Sequence, residues 1–436
     1  MQRQKSPKEW IKTIFIVMLS ISAVALGLGT GLFDAPIRAG GLHTAIEEMR
    51  PPRPSLQGAA PAAWPTAAMA TAARDVHLGY RMAGQAGEWP HAGPQFIFST
   101  FSGSLGEALG SSGPPVTVSQ TAWEEALLGP GVFFRYDLEV PGDILAQWFG
   151  VSPGGALGPM QLICLSVGAD TVYLYYMGRD GIPHRSTTAL RPADLLESLL
   201  ALEPNGAAFG FPQSIGGGME TYTVLLPRYS GIPILWEANA IGAVHGERDA
   251  FLTHLGMNPA LVRTLDEVGS RTIVEENATL RLYEDGLIRY QYQDIRPYGG
   301  EGITTLAQAI ETAREIASVL LLVSGEADIY LTDSSQDEAG FVLEFRYYMG
   351  GLPVWTDRPA ATVIIQGGRV TEVTLLARSY ERSGAFSAIL PEAQATAAAG
   401  GPLFLTYAPA GGREPPAQGV IELRAMWLLV NPAGEG

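Results

Sequence analysis

The chain has 436 residues and a formal net charge of −16, with 44 acidic side chains against 28 lysines and arginines. The first twelve residues carry +3, so the remainder carries −19, which argues against nucleic acid or an anionic lipid surface as a partner, because both are bound through Lys and Arg. Hydrophobic residues make up 47% of the chain and Cys164 is its only cysteine, so we expect two or three domains with large cores and no disulfide.

The first predicted element is a transmembrane helix at residues 13–33, an apolar run of 21 residues without a charge. At about 1.5 Å per residue this run can cross a hydrocarbon core of about 30 Å. The only lysines of the chain, Lys5, Lys8 and Lys12, all precede it. The positive-inside rule therefore places residues 1–12 in the cytoplasm and the rest of the chain outside. A cleaved signal peptide is the alternative, but its apolar region is normally shorter.

Within this anchor, Gly27 and Gly31 lie four residues apart and share one helical face. In lipid, helices associate where small residues allow their backbones to approach closely. We predict that Gly27 and Gly31 form a helix–helix contact, although glycine is also common in membrane helices that pair with nothing.

Residues 34–73 are rich in Pro and Ala and predict a stalk that holds the domains off the membrane. A first α+β domain is expected at 74–204. Its predicted elements are short strands at 95–101 and 115–118, a helix opened by a Thr121–Glu124 capping box, strands at 132–140, 160–167 and 171–178, and a helix after Pro192.

A middle α+β domain is expected at 205–300, after a glycine-rich break at 203–218. We predict a helix from Asn258-Pro259 to Gly269, and a hairpin at Asp285-Gly286, where glycine favours a primed turn.

A C-terminal α+β domain is expected at 301–436. Its helix, 305–324, carries Leu306, Ile310, Ala313 and Ala317 at helical spacing, and several predicted strands follow it. This order implies an antiparallel sheet with a helix packed on one face. The Gly-x-Pro corners that end at Pro233 and Pro353 resemble each other, so the last two domains are candidates for a duplication, although such corners also arise by chance.

Catalytic motifs are absent from the sequence: it has no HExxH, CxxC, P-loop or Gly-x-Ser-x-Gly. The six histidines are scattered singly, without the spacing of a zinc site. Acidic neighbours are most simply exposed charges; they are Glu124 and Glu125, Glu275 and Glu276, and the loop residues Asp333, Asp337 and Glu338. We therefore predict a protein that is not an enzyme, with no catalytic, metal-binding or cofactor-binding residue.

The chain nevertheless resembles a known family. The resemblance is carried by the basic tail with its single anchor, by VSQTAWEEALLGPGVFFRYDLEVPGDIL, by LRLYEDGLIRY, by the helix 305–324 and by FRYYMGGLPVW. In these features the chain is similar to the YycH/YycI regulatory proteins, and to the YycH branch more than the YycI branch. It departs from the family pattern in its Pro/Ala-rich stalk.

This resemblance implies a membrane-anchored, non-enzymatic regulator that contacts a sensor histidine kinase of the WalK/YycG type together with a YycI-like partner. Two alternatives stay open. One is an extracytoplasmic module that binds cell wall or a small ligand. The other is a membrane-tethered wall hydrolase, which would need a metal or an acidic pair in a cleft.

Overall fold

The computed structural model describes residues 68–72, 76–81, 94–202, 206–211, 221–225, 232–276, 278–292, 302–399, 403–410 and 419–429. The predicted cytoplasmic tail, the anchor at 13–33 and most of the stalk lie outside them. Within the described ranges, no helix has the length and apolarity needed to cross a membrane. The described part is an α+β fold built on antiparallel sheets, as the sequence predicts.

The first sheet contains seven strands. They are β1 (Ala68–Ala72), β2 (Val76–Arg81), β3 (Val116–Thr117), β4 (Gly131–Val140), β5 (Met160–Val167), β6 (Val172–Met177) and β7 (Pro183–Thr187). Their order is β2-β1-β4-β5-β6-β7-β3, with every neighbour antiparallel. Because β1 pairs with β4, the first sheet begins inside the segment predicted as stalk.

Both faces of this sheet are covered, because β4 alternates large apolar side chains between them. Phe134 packs in one core with side chains of the helices α1 (Pro94–Gly110), α3 (Gly142–Trp148) and α4 (Pro192–Leu200). Phe133 packs on the opposite face with α2 (Gln120–Leu128) and the short pair β8 (Ala208–Phe209) and β9 (Val224–Leu225). The sheet is thus the middle layer of three.

Two local predictions in this region are wrong. Residues 95–101 belong to α1 and not to a strand, since Phe98, Phe101 and Leu105 recur at helical spacing and are buried together. The helix α2 begins one residue before Thr121, and its cap is Ser119, whose hydroxyl accepts a hydrogen bond from the Ala122 amide at 3.2 Å.

The second sheet has nine strands. They are β11 (Arg263–Glu267), β12 (Ser270–Glu275), β13 (Ala278–Tyr283), β14 (Leu287–Tyr292), β15 (Asp328–Gln336), β16 (Gly340–Met349), β17 (Leu352–Pro353), β18 (Ala361–Gln366) and β19 (Arg369–Leu376). The order is β11-β12-β13-β14-β19-β18-β16-β15, and β17 pairs with β16.

A single helix, α7 (Leu306–Ala317), packs against β15, β16 and β18 and continues as a 3-10 helix, Ser318–Leu322. It begins at a capping box in which Thr305 and Gln308 bond each other's backbone amides. The predicted arrangement of a helix on one face of an antiparallel sheet is confirmed here, although the α-helix ends seven residues before the predicted end at 324.

The predicted helix between Asn258 and Gly269 is wrong. Arg263–Glu267 is the edge strand β11, which turns back into β12 through Gly269 at φ +78°. The helices of this stretch lie earlier, as α5 (Ile241–Gly246) and α6 (Arg248–His254).

The third sheet has four strands, β10 (Ile232–Asn239), β20 (Arg378–Ser387), β21 (Leu403–Pro409) and β22 (Val420–Leu429), in the order β20-β10-β22-β21. The helix α8 (Glu392–Ala399) contacts β21.

Two of the sheets cross the expected boundary at residue 300. In the nine-stranded sheet β14 pairs with β19, and in the four-stranded sheet β10 pairs with β20 and β22. The duplication predicted from the two Gly-x-Pro corners has no counterpart in these strands, because Pro233 lies in the four-stranded sheet and Pro353 in the nine-stranded one.

Candidate functional site

The candidate site lies where the nine-stranded and four-stranded sheets meet. The chain passes from β19 into β20 through Ala377, whose amide donates to Gly286 O at 2.8 Å and whose carbonyl accepts from the Ala240 amide at 3.2 Å. The Asp285-Gly286 turn between β13 and β14 is therefore held against the end of β10. The turn itself was predicted from the sequence; its position at the junction of two sheets was not.

The junction contains a largely buried ion pair. Arg378 Nε donates to Glu237 Oε1 at 3.1 Å, and the two side chains are 20% and 11% exposed. Arg378 Nη1 also donates to Asp285 O at 2.9 Å and to Ala377 O at 3.1 Å. One guanidinium thus joins a strand of one sheet to a turn of the other. Gly286 is required there, because its φ of +87° strains any other L residue and a methyl group would lie 2.9 Å from the backbone oxygen of Ala377.

Two buried tyrosines lie behind this pair. The rings of Tyr347 and Tyr380 have centroids 5.0 Å apart, and the Tyr347 hydroxyl donates to Leu376 O at 2.6 Å. Burial raises the pKa of both phenols, so both stay neutral. Tyr380 is directly opposite Glu237 in the sheet and adds no compensating charge.

Burial also raises the pKa of Glu237. The Arg378 guanidinium opposes that shift and the Asp357 carboxylate adds to it. Glu237 is therefore a carboxyl group whose charge is poorly solvated, is balanced by one arginine and is repelled by one aspartate. A second positive group placed near it would stabilise its ionised form.

In front of the ion pair lies a cleft of about 310 Å³. Its charged lining consists of Glu237, Asp285, Asp357, Arg358 and Arg378, which gives a net charge of −1. Its apolar lining comes from Trp355, Leu376, Pro409 and Ile421.

The loop after β17 forms one wall of this cleft and is fixed to both sheets. The Trp355 amide donates to Tyr407 O at 2.7 Å, and the Ala360 amide donates to Phe345 O at 2.7 Å. The Thr356 hydroxyl bonds Arg358 O at 2.6 Å inside the loop. Trp355 is 45% exposed as a residue, and its ring lies against the Phe404 ring and the Arg346 guanidinium. Held in this way, Trp355 offers a preformed apolar surface.

A second cavity, of about 400 Å³, opens on the first sheet. Gln120, Gln161, Arg135 and Tyr222 line it, and Gln120 Nε2 donates to the Tyr222 hydroxyl. Burial, with a smaller effect of Glu124, raises the pKa of Tyr222 to about 12, so the phenol is neutral. The lining is mixed: Leu162 and Met177 add apolar surface, and among the described residues Arg135 is its one charged side chain.

None of the residues considered from the sequence for catalysis, metal binding or helix contact lines these cavities, whereas Asp285, predicted only as a turn residue, lines the first. Gly27 and Gly31 lie outside the described residues. In the described part of the chain, no group of three His, Cys, Asp or Glu side chains could hold a metal ion. Asp337 accepts hydrogen bonds from the amides of Ala339 and Gly340 in a turn, and Glu275 accepts from the Asn258 amide.

Sequence reasoning missed Glu237 and Arg378. One signal was available, because Glu237 is the single charged residue in the strand sequence IPILWEAN. A carboxylate in an otherwise apolar central strand is rarely buried unless it is paired. The partner, 141 residues further along the chain, could not be identified without the sheet order.

Neither a protein-family model nor a curated protein matches this chain in sequence. Among solved structures, the chain is similar to the crystal structure of YycH from Bacillus subtilis, with a TM-score of 0.54 and 10% sequence identity. The similarity covers 80% of this chain and 92% of that one. The described fold is therefore YycH-like.

Proposed function

We propose that this protein is a membrane-anchored, extracytoplasmic regulator of a sensor histidine kinase of the WalK/YycG type. It acts by protein contact, not by catalysis, and works with a YycI-like partner. The observation that carries the proposal is the YycH-like fold, which extends over 92% of the YycH chain. A likeness that covers 80% of this chain extends well beyond one common motif.

The sequence before the described residues adds independent support. The uncharged run at 13–33 follows a basic tail, which is the arrangement of a single-pass anchor with its bulk outside the cytoplasm. An anchored regulator can contact its kinase through the membrane helix as well as through the exported domains. In this proposal the face of Gly27 and Gly31 contacts a helix of the kinase or of the YycI-like partner.

The test uses the full-length chain in its own host. Deleting the gene should change the phosphorylated fraction of the response regulator, complementation should restore it, and the tagged protein should co-purify with a sensor kinase from crosslinked membranes. An unchanged phosphorylated fraction together with no recovered kinase would refute the proposed function.

Glycine variants separate the anchor from the exported domains. Gly27→Leu with Gly31→Leu places bulk on the proposed contact face, whereas Gly29→Leu adds the same side chain on another face and is the matched control. We expect the double variant to lose co-purification and the Gly29 variant to retain it, with both exported normally. If the two variants signal equally, the helix face of Gly27 and Gly31 is not needed for regulation.

A further inference from the structure

The cleft between the two sheets has the chemistry of a binding site for a small ligand. Glu237 is 9% exposed as a residue and uses Oε1 for Arg378, so Oε2 is the atom left for a ligand. Asp357 lines the same cleft from an exposed loop. Two carboxylates that share a cavity repel each other, and a cation between them relieves this repulsion.

The same cleft also offers a positive group at its rim. Arg358 is exposed, and its guanidinium makes no ion pair within the described residues. Arg378, by contrast, is occupied by Glu237 and two backbone carbonyls. Arg358 is therefore the arginine of the cleft that can bind a carboxylate, which guanidinium groups match in a bidentate geometry.

The apolar part of the lining indicates that the ligand also carries an aliphatic group. The half-exposed Trp355 ring and the 45% exposed Ile421 side chain present a surface on which an aliphatic group can pack. The volume, about 310 Å³, lies at the lower end of the range for small-molecule sites, and is suited to one or two amino-acid units, not to a polymer.

We propose that this cleft binds a dipeptide-sized zwitterion with a free amine. Its ammonium group lies between Glu237 and Asp357, its carboxylate pairs with Arg358, and its aliphatic portion packs on Trp355. A net positive ligand is favoured, because the lining carries −1. The inference is independent of the proposed function, since it depends on the cleft alone and its test does not involve a kinase.

The test is calorimetric titration of the full-length chain in detergent with lysyl-alanine. The expected affinity for a ligand of this size is a Kd of about 1 mM. Asp357→Asn and Arg358→Gln change exposed rim residues, so they should leave the fold intact while each weakens binding about fivefold. Glu237→Gln should weaken it at least about tenfold. Glu338→Gln, which removes an exposed carboxylate outside the cleft lining, is the matched control and should bind normally.

Chemically blocked probes test the individual groups of the ligand. Acetylation of both amines of lysyl-alanine, or amidation of its carboxylate, should each weaken binding. A peptide that is both acetylated and amidated can make only apolar contacts with the cleft. If it bound as well as lysyl-alanine, the proposal would be overturned. Absence of saturable binding by lysyl-alanine, or binding unaffected by both rim variants, would overturn it as well.

Discussion

Replacing Arg378 should destabilise the described fold, because its side chain joins two sheets through a largely buried ion pair. In Arg378→Met the aliphatic bulk is kept, but Glu237 loses its ion-pair partner and Asp285 O loses a donor. Removing one partner of a buried ion pair costs about 3–5 kcal/mol, because a charge is left uncompensated. Here the side chains are 20% and 11% exposed and face a cleft, so we expect a loss near the lower limit, about 3 kcal/mol.

A second substitution should partly rescue Arg378→Met. Glu237→Gln removes the uncompensated charge, so the double variant should be more stable than Arg378→Met alone, by about 1 kcal/mol or more. Arg382→Met, in the same strand, is the matched control: Arg382 pairs with Glu326 at 3.2 Å, but these side chains are 56% and 47% exposed. Its loss should cost about 1 kcal/mol or less.

Urea unfolding, followed by far-UV circular dichroism at constant pH and salt, measures these differences. The midpoints should rank wild type and Arg382→Met highest, the double variant next and Arg378→Met lowest. If Arg378→Met has the same urea midpoint as Arg382→Met, or if Glu237→Gln gives no rescue, the uncompensated charge of Glu237 does not destabilise the fold.

Four further outcomes are expected. Burial raises the pKa of Glu237 above its ordinary 4.5, so the folded state favours the protonated carboxyl. The stability that this protonation provides is fully present below pH 4.5 and is lost as the pH rises through the raised pKa. Glu237→Gln should therefore flatten this part of the pH dependence of the urea midpoint. Burial raises the pKa of the Cys164 thiol to about 12, so iodoacetamide should label it only in denaturant, as mass spectrometry can check. Gly340 has φ +153°, and a methyl group on it would collide with Ile365 O, so Gly340→Ala should lower the free energy of unfolding by about 3 kcal/mol. Gly269 has φ +78° and open space around it, so Gly269→Ala should cost only about 1 kcal/mol in the same assay. Residues 68–436, which keep β1 but lack the anchor, should be soluble, with a melting temperature that EDTA and reductant leave unchanged; a drop of many degrees with either reagent would contradict this.

The sequence predicted correctly those elements whose signal lies within the element itself. The helix at 305 and the hairpin at Asp285-Gly286 carry their own signals, an amphipathic stripe and a primed-turn glycine, and both are found. The strand predicted at 95–101 failed because Phe98 and Phe101 suit a strand by composition, and only their burial at helical spacing against the first sheet decides for a helix.

Sheet membership could not be predicted, because it depends on pairings between distant strands. Only Ala377 separates β19 from β20, yet these two strands belong to different sheets. The division at residue 300 was placed by composition, while β10 and β14 pair across it with strands that begin after 360. No local signal reports such a pairing.

The candidate cleft lies where the chain passes from β19 in one sheet to β20 in another. When β19 ends and β20 begins in another sheet, the backbone at the crossing must be held from both sides, and Ala377 bonds Gly286 and Ala240 there. The cleft opens beside this crossing, because Leu376 and Arg378, on either side of Ala377, both line it. Arg378, the first residue after the crossing, places its charge in that space and requires the carboxylate of Glu237 beside it. The charged lining of the cleft is thus a consequence of how the two sheets are joined, and a ligand bound there would contact both of them.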